Sequence, residues 1–342
     1  MRIFTVNLFG DFTVNQATLQ NGSATNGGGI NNNGKLTVTN SIISGNFATN
    51  YGGGINNFGT LMVTNSTFAD NEATLSGGGI NFGSGTLTAL NSTFSGNTAN
   101  YGGGIYNLGT LNVTNSTFAD NEATISGGGI YNLSTLHLAG TIFAAGLNGD
   151  NCVNSGGTFN DNGYNLSDDA SCGFLGTSAD NATLNLGALA DNGGTTQTHL
   201  PGAGSDAIGA IPNGTTISNN GTSWTCNQSF TDQRGVLRPI NAGTACTAGA
   251  VEVARVQLTM QPNGYFSWLP TPSGSCSESL YRSSTPYVGH TWLTDDPANY
   301  DGSGSLTSVA TNYFYYLLVD CGGSQSQSNE VGEFTFAIVP GG

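Results

Sequence analysis

Apolar residues recur along the first half of the chain in short alternating runs, separated by glycine and asparagine, and the runs repeat every 25 residues. The motif GGGI begins at Gly27, Gly52, Gly77, Gly102 and Gly127. The stretch NSTFADNEAT occurs at 65–74 and again at 115–124. Within 102–126, Leu111 and Val113 alternate with Asn112 and Thr114, the two-residue period of a strand. Asn115 breaks that run, Phe118 starts another, and Ile105 follows the glycines as a third apolar contact. No stretch carries the 3.6-residue spacing of a helix. Three short strands joined by tight turns describe one coil of a parallel β-helix, whereas a propeller blade needs about 40 residues.

In such a solenoid, equivalent residues of successive coils stack about 4.8 Å apart. The period predicts an apolar ladder of Ile30, Ile55, Ile80, Ile105 and Ile130, a second of Phe68, Phe94 and Phe118, and an amide ladder of Asn46, Asn71, Asn97 and Asn121. The third unit gains a residue near Ser84–Gly85 and loses one before Tyr101, which restores the register. The expected fold is all-β: a right-handed parallel β-helix over 1–254, followed by a small β-sandwich over 255–342. Regular coils are expected over 1–145, with 1–26 as the opening coil. Residues 146–254 read as degenerate coils stapled by disulfides. In 255–342, Trp268, Tyr281 and YFYYLLV (313–319) lie in alternating runs between Gly, Ser and Pro turns.

Composition narrows the function. The net charge is −15, and the six basic residues are Arg2, Lys35, Arg234, Arg238, Arg255 and Arg282. Phosphate backbones and anionic membranes require clustered Lys and Arg, so nucleic acid is excluded as a partner. No run reaches the ~18 apolar residues of a membrane span. Residues 1–20 lack the apolar core of a signal peptide, so either an export signal has been removed or the chain belongs to a longer precursor. Six cysteines admit 15 pairings. Proximity and the domain split favour Cys152–Cys172, Cys226–Cys246 and Cys276–Cys321, and hence an oxidising, extracellular location; buried free thiols are the alternative.

The GGGI…NSTF coil resembles that of the choice-of-anchor Q domain family and of polymorphic outer-membrane-type proteins. A second likeness to that family runs from NGYNL (162–166) through SCGF (171–174), DNGGTTQTHL (191–200), DQRGVLRP (232–239) and GAVE (249–252). It covers about 20–254. The usual Cys-Asp-Ile-Gly-Ala ending is altered, since Thr247, Ala248, Gly249 and Ala250 follow Cys246. The resemblance implies a right-handed β-helix on an exported surface protein and no catalytic residues. The order of runs in 255–342 resembles a fibronectin type III-like sandwich.

Solenoids also carry polysaccharide lyases and hydrolases, so carboxylates matter. Asp70 and Glu72 recur as Asp120 and Glu122 two coils on, roughly 10 Å away, close to an inverting carboxylate spacing. Identical exposed turns of a duplicated sequence explain them as well, and no catalytic residue is assigned. Asp150, Asp161, Asp168 and Asp169 would suit Ca²⁺, as would Asp295, Asp296 and Asp301, although neither set has the EF-hand spacing; solvated turns account for both, and no cofactor is expected. His137, His199 and His290 are scattered. Arg234 and Arg238 are expected to pin a terminal strand through carboxylates such as Asp232. The many Asn-x-Ser/Thr sequons, Asn65, Asn91, Asn115 and Asn181 among them, follow from composition.

These readings predict a secreted, non-enzymatic structural protein of the bacterial cell surface. Its expected partner is itself, in an end-to-end oligomer or filament joined through the alternating Phe4, Val6 and Leu8. The alternative is an adhesin or carbohydrate-binding protein that meets surface glycans through Tyr51, Tyr101, Tyr106 and Tyr131. Coil-to-coil aromatic packing would explain the same tyrosines.

Overall fold

The computed structural model describes residues 1–240 and 242–253 in full, and beyond them the backbone of strands between 257 and 333. The chain divides into two compact units, 1–253 and 254–342. The described residues contain strands and no helix.

The first unit is a parallel β-solenoid. Two of its sheets have seven strands each, one strand per coil. The coil after the first GGG contributes Ile30–Asn32 to the first sheet, Lys35–Thr39 to the second and Ile42–Ser44 to the third. A fourth short strand, Phe47–Tyr51, joins the three that the sequence predicts. Its equivalents are Ser23–Asn26, Glu72–Ala73 and Thr98–Tyr101, and in the fifth coil it fuses with the third into Thr117–Ser126.

Tight corners make such short strands feasible. Asn40, Asn65, Asn91 and Asn115 hold φ between 46° and 50° at the corner before the third sheet, a region that Asn tolerates through local hydrogen bonding. The corner into the first sheet is tighter. Gly52 has φ +66°, and a Cβ on Gly53 would meet Glu72 O at 2.4 Å and Gly78 O at 2.6 Å, so no side chain fits.

The lumen is filled by stacks. Ile30, Ile55, Ile80, Ile105 and Ile130 align in register, and Cys152 takes the next rung. The rings of Phe68, Phe94, Phe118 and Phe143 are 5.0, 4.6 and 4.9 Å apart, the coil spacing itself. All are buried. Each contributes about 1.5–3 kcal/mol by burial. The amide ladder forms as the period predicts: Asn46, Asn71 and Asn97 each donate Nδ2 to Oδ1 of the next, at 2.9, 2.9 and 2.8 Å. The same nitrogens also donate to the carbonyls of Leu19, Ile43 and Phe68.

A second amide ladder, which the sequence reading missed, runs Asn32–Asn57 and, further on, Asn107–Asn132–Asn154. Phe82 interrupts it in the coil that carries the extra residue. Register steps of 26 into that coil (Phe68↔Phe94) and 24 out of it (Phe94↔Phe118) show how the insertion is absorbed.

The stretch expected to continue as degenerate coils divides in two. Cys152–Asn154, Thr158–Asp161 and Leu166–Ser167 complete a last coil in parallel register. After a terminal loop, residues 183–253 leave the stack. Their paired strands, Thr216–Asn219 with Thr222–Thr225 and Phe230–Thr231 with Leu237–Arg238, are antiparallel. This return segment lies back along the third sheet and, at Asn219, reaches the second. Thr67 Oγ1 donates to Gln197 O, Ala250 N to Thr117 Oγ1, and Asn219 Nδ2 to Val113 O. Its own core joins Ala139, Ile142 and Leu166 of the coils to Leu184, Ile211, Ile217, Trp224 and Ala248. The Cys226–Cys246 disulfide sits inside that core.

In the second unit, Gln257–Met260 pairs with Phe266–Leu269, and Tyr313–Cys321 pairs with Ser277–Ser283, Ser324–Gln327 and Val331–Glu333, all antiparallel. The Cys276–Cys321 pairing, Asp295, Asp296, Asp301 and His290 fall outside the described residues.

Candidate functional site

Three places concentrate chemistry that the repeat does not require: the first coil, the last coil and the return segment.

The first coil ends the stack among the described residues. Its strands Phe4–Val6, Asp11–Asn15, Thr18–Gln20 and Ser23–Asn26 each pair only with the second coil, and among the described residues no strand lies on their outer side. Phe4 stacks on Ile30 and faces inward, yet remains 39% exposed. Phe12 lies 5.3 Å from it, ring to ring, and is 37% exposed. Of the residues expected to mediate assembly, Val6 belongs to the core, because it points into the lumen, whereas Phe4 and Leu8 are exposed. Phe9, missed in the sequence, is exposed with φ +65°, an uncommon region for a bulky side chain.

The last coil is closed. Phe174 covers the lumen at 6.2 Å from Phe143 and 6.0 Å from Phe159, and only 6% of it is exposed. The Cys152–Cys172 disulfide ties this plug to the Ile ladder. The four candidate Ca²⁺ ligands surround it with different tasks. Asp169 accepts from Asn151 N, from Ser171 N and Oγ, and from Ser167 Oγ. Burial raises its pKa, and these hydrogen bonds outweigh burial and hold it below the usual carboxylate value. Asp168 accepts from Ala145 N and Asn151 Nδ2. Asp161 accepts from Gly163 N, Asn165 Nδ2 and Ser178 Oγ. Asp150 and Asp169 border an open hollow of about 440 Å³. Among the described residues no three His, Cys, Asp or Glu side chains converge as metal ligands. The carboxylates shape the terminal loop by satisfying its backbone donors.

Asp70 and Asp120 occupy equivalent left-handed corners at φ 53° and 58°. Glu72 and Glu122 lie two rungs apart through Thr98. His137 and His199 stand on different elements. His199 bridges Gly187 O at 2.7 Å and Ser95 Oγ at 2.9 Å. A carbonyl accepts only, so Nδ1 carries the proton and Nε2 accepts from the serine. Burial pushes its pKa down, against the Gly187 carbonyl and Asp120. Two sequons are covered: Asn91 and Asn115 are buried.

The return segment holds the densest polar network. Asp232, fully buried, accepts from Arg234 N and Nη2, from Val236 N and from Glu252 N. The expected Arg234–Asp232 ion pair forms at 2.8 Å. Arg238 donates to Thr247 O and Gly249 O and approaches Glu252 at 3.4 Å. Burial pushes Glu252 up to about 8, against the pull of Arg238 and of the Thr247 N–H. Burial likewise lowers Arg238. Both shifts point the same way: removal from water opposes charge more than this long contact restores it.

Comparison of the chain with family models, curated proteins and solved structures gives no match.

Proposed function

We propose that this chain is an exported, non-enzymatic structural protein of the cell surface that assembles with further copies through the outer face of its first coil. The observation that carries this reading is the contrast between the two ends of one stack. Phe174 seals the last coil, while the first coil leaves Phe4 and Phe12 partly uncovered beside an unpaired strand edge. Unpaired parallel edges recruit further strands. Phe9, exposed and strained at that edge, gains from being covered. The two disulfides among the described residues support an oxidising, extracellular setting. The likeness of the GGGI coils to choice-of-anchor Q proteins supports a place on the bacterial surface.

Light scattering on a size-exclusion column, with negative-stain microscopy of the protein as isolated, tests this. Association should grow with concentration, and the double variant Phe9→Asp/Phe12→Lys should remain monomeric with an unchanged circular dichroism spectrum. A wild-type protein that stays monomeric at every concentration refutes the reading.

A further inference from the structure

One flank of the solenoid is built as neither core nor ordinary solvated sheet. On the first sheet, the outward positions of successive coils are Asn31, Asn56, Asn81, Tyr106 and Tyr131, in strict register. Beside that column, across the glycine corner, runs a second: Tyr51, Ser76, Tyr101 and Ser126. The columns touch. Ser76 Oγ donates to Asn81 Oδ1 at 2.9 Å, and the rings of Tyr101 and Tyr131 meet edge to face at 5.2 Å. Tyr106 and Tyr131 lie parallel at 5.6 Å.

Asn56 and Asn81 point outward and are nevertheless buried. The tyrosines are the accessible members: Tyr51 is 40% exposed, and Tyr101, Tyr106 and Tyr131 are half-buried. The two columns form an uncharged strip in which the tyrosines are accessible and the amides are covered. The amides are joined in one direction, Asn81 Nδ2 to Asn56 Oδ1 and Asn56 Nδ2 to Asn31 Oδ1, both at 2.8 Å. Burial raises the Tyr106 hydroxyl pKa, with Tyr131, Tyr51 and Tyr101 adding to it.

The charge of the strip selects its occupant. The chain has a net charge of −15, yet neither column contains an ionisable acid or base other than the phenols. A charged polymer would find no partner there. A neutral sugar chain would find flat aromatic faces for its C–H surfaces and phenol hydroxyls for its OH groups, the amphipathic pairing that Tyr supplies at binding surfaces. From Tyr51 to Ser126 the strip spans three rungs, about 14 Å along the axis, so the ligand is a chain rather than a single ring.

We infer that this aromatic strip binds a neutral polysaccharide lying along the solenoid axis, stacked on Tyr51, Tyr101, Tyr106 and Tyr131. The strip lies on the flank of coils two to six, apart from the outer face of the first coil, so its occupancy is independent of the assembly reading.

The test is isothermal titration of the full chain with soluble neutral cello-, xylo-, manno-, malto- and chito-oligosaccharides, and with polygalacturonate as the acidic control. At least one neutral series should bind saturably, with longer members tighter. Tyr106→Ala/Tyr131→Ala should weaken that binding roughly tenfold, the loss expected of two aromatic contacts. Tyr51→Ala, the most exposed and least packed of the four, provides a second variant that leaves the stacked pair intact and should also weaken it. The inference is overturned if no neutral series binds, if only polygalacturonate binds, or if binding survives all three replacements. A change in self-association with no change in sugar binding would assign the tyrosines to a protein contact and overturn it equally.

Discussion

Thr93 donates its hydroxyl to the side-chain carbonyl of Gln233 at 2.7 Å, joining positions 140 residues apart. The amide of the same glutamine donates to Thr67 Oγ1 and Thr196 Oγ1, both at 2.9 Å. One side chain thus clasps two successive rungs of the third sheet and the irregular chain around Thr196 beside them. Gln233→Ala would leave these buried hydroxyls short of partners, at a cost of about 2–3 kcal/mol. The urea midpoint of the solenoid should fall accordingly. Amide exchange should quicken first in 190–240, since the return segment is held to the coils by such side-chain bonds rather than by a ladder. Equal protection in variant and wild type would show that the segment is anchored by its apolar core alone.

The coils were legible in the sequence because stacking imposes a fixed period. Ile105 must lie over Ile80, and Phe118 over Phe94, so each apolar rung repeats within a residue of 25. Even the Ser84 insertion showed itself, because the register had to be recovered. The return segment was not legible. Its contacts, Thr67 to Gln197 or Asn219 to Val113, have no local period. A signal existed in the outward positions of the third sheet. There Ala69, Ser95 and Ala119 are small, and Thr67, Thr93 and Thr117 are buried although they face away from the lumen. A solenoid face of small side chains is a covered face. The Cys226–Cys246 pairing was predicted for the right residues, but it staples the cover rather than a coil. The first coil was partly legible: the alternation of Phe4 and Val6 marked a strand, and its unpaired side required the structure.

The amide ladder allows a sharper test of what holds the coils in line. Asn97 donates to Asn121 Oδ1 and Phe68 O, and accepts from both the backbone N and Nδ2 of Asn71. Asn97→Leu keeps the branched outline of the side chain, with bulkier methyl groups, and removes every one of these bonds. The orphaned groups are buried, so the loss should be about 3 kcal/mol or more, read as a lower midpoint in urea. A ladder that only fills space would tolerate the leucine, and an unchanged midpoint would demote it to that role.

Glu252 gives the stability of the first unit a pH dependence whose sign is set by burial. Its pKa is pushed from 4.5 up to about 8 in the folded chain. Between these values the folded state holds a proton that the unfolded state has released, so this group's contribution falls as pH rises through the window, by up to about 1.4 kcal/mol per pH unit. His199 acts in the opposite sense below pH 6.5, because burial keeps it neutral while the unfolded imidazole takes up a proton. The wild-type curve alone therefore mixes two slopes. Glu252→Gln isolates one of them: Gln cannot ionise, and its side-chain oxygen can still accept from the Thr247 N–H and face Arg238. Urea midpoints measured from pH 5 to 9 should show the variant gaining on the wild type as pH rises, with the difference levelling off above about 8. A difference that shrinks with rising pH would mean that the Arg238–Glu252 contact is a stabilising ion pair, and that the carboxylate is charged in the folded protein.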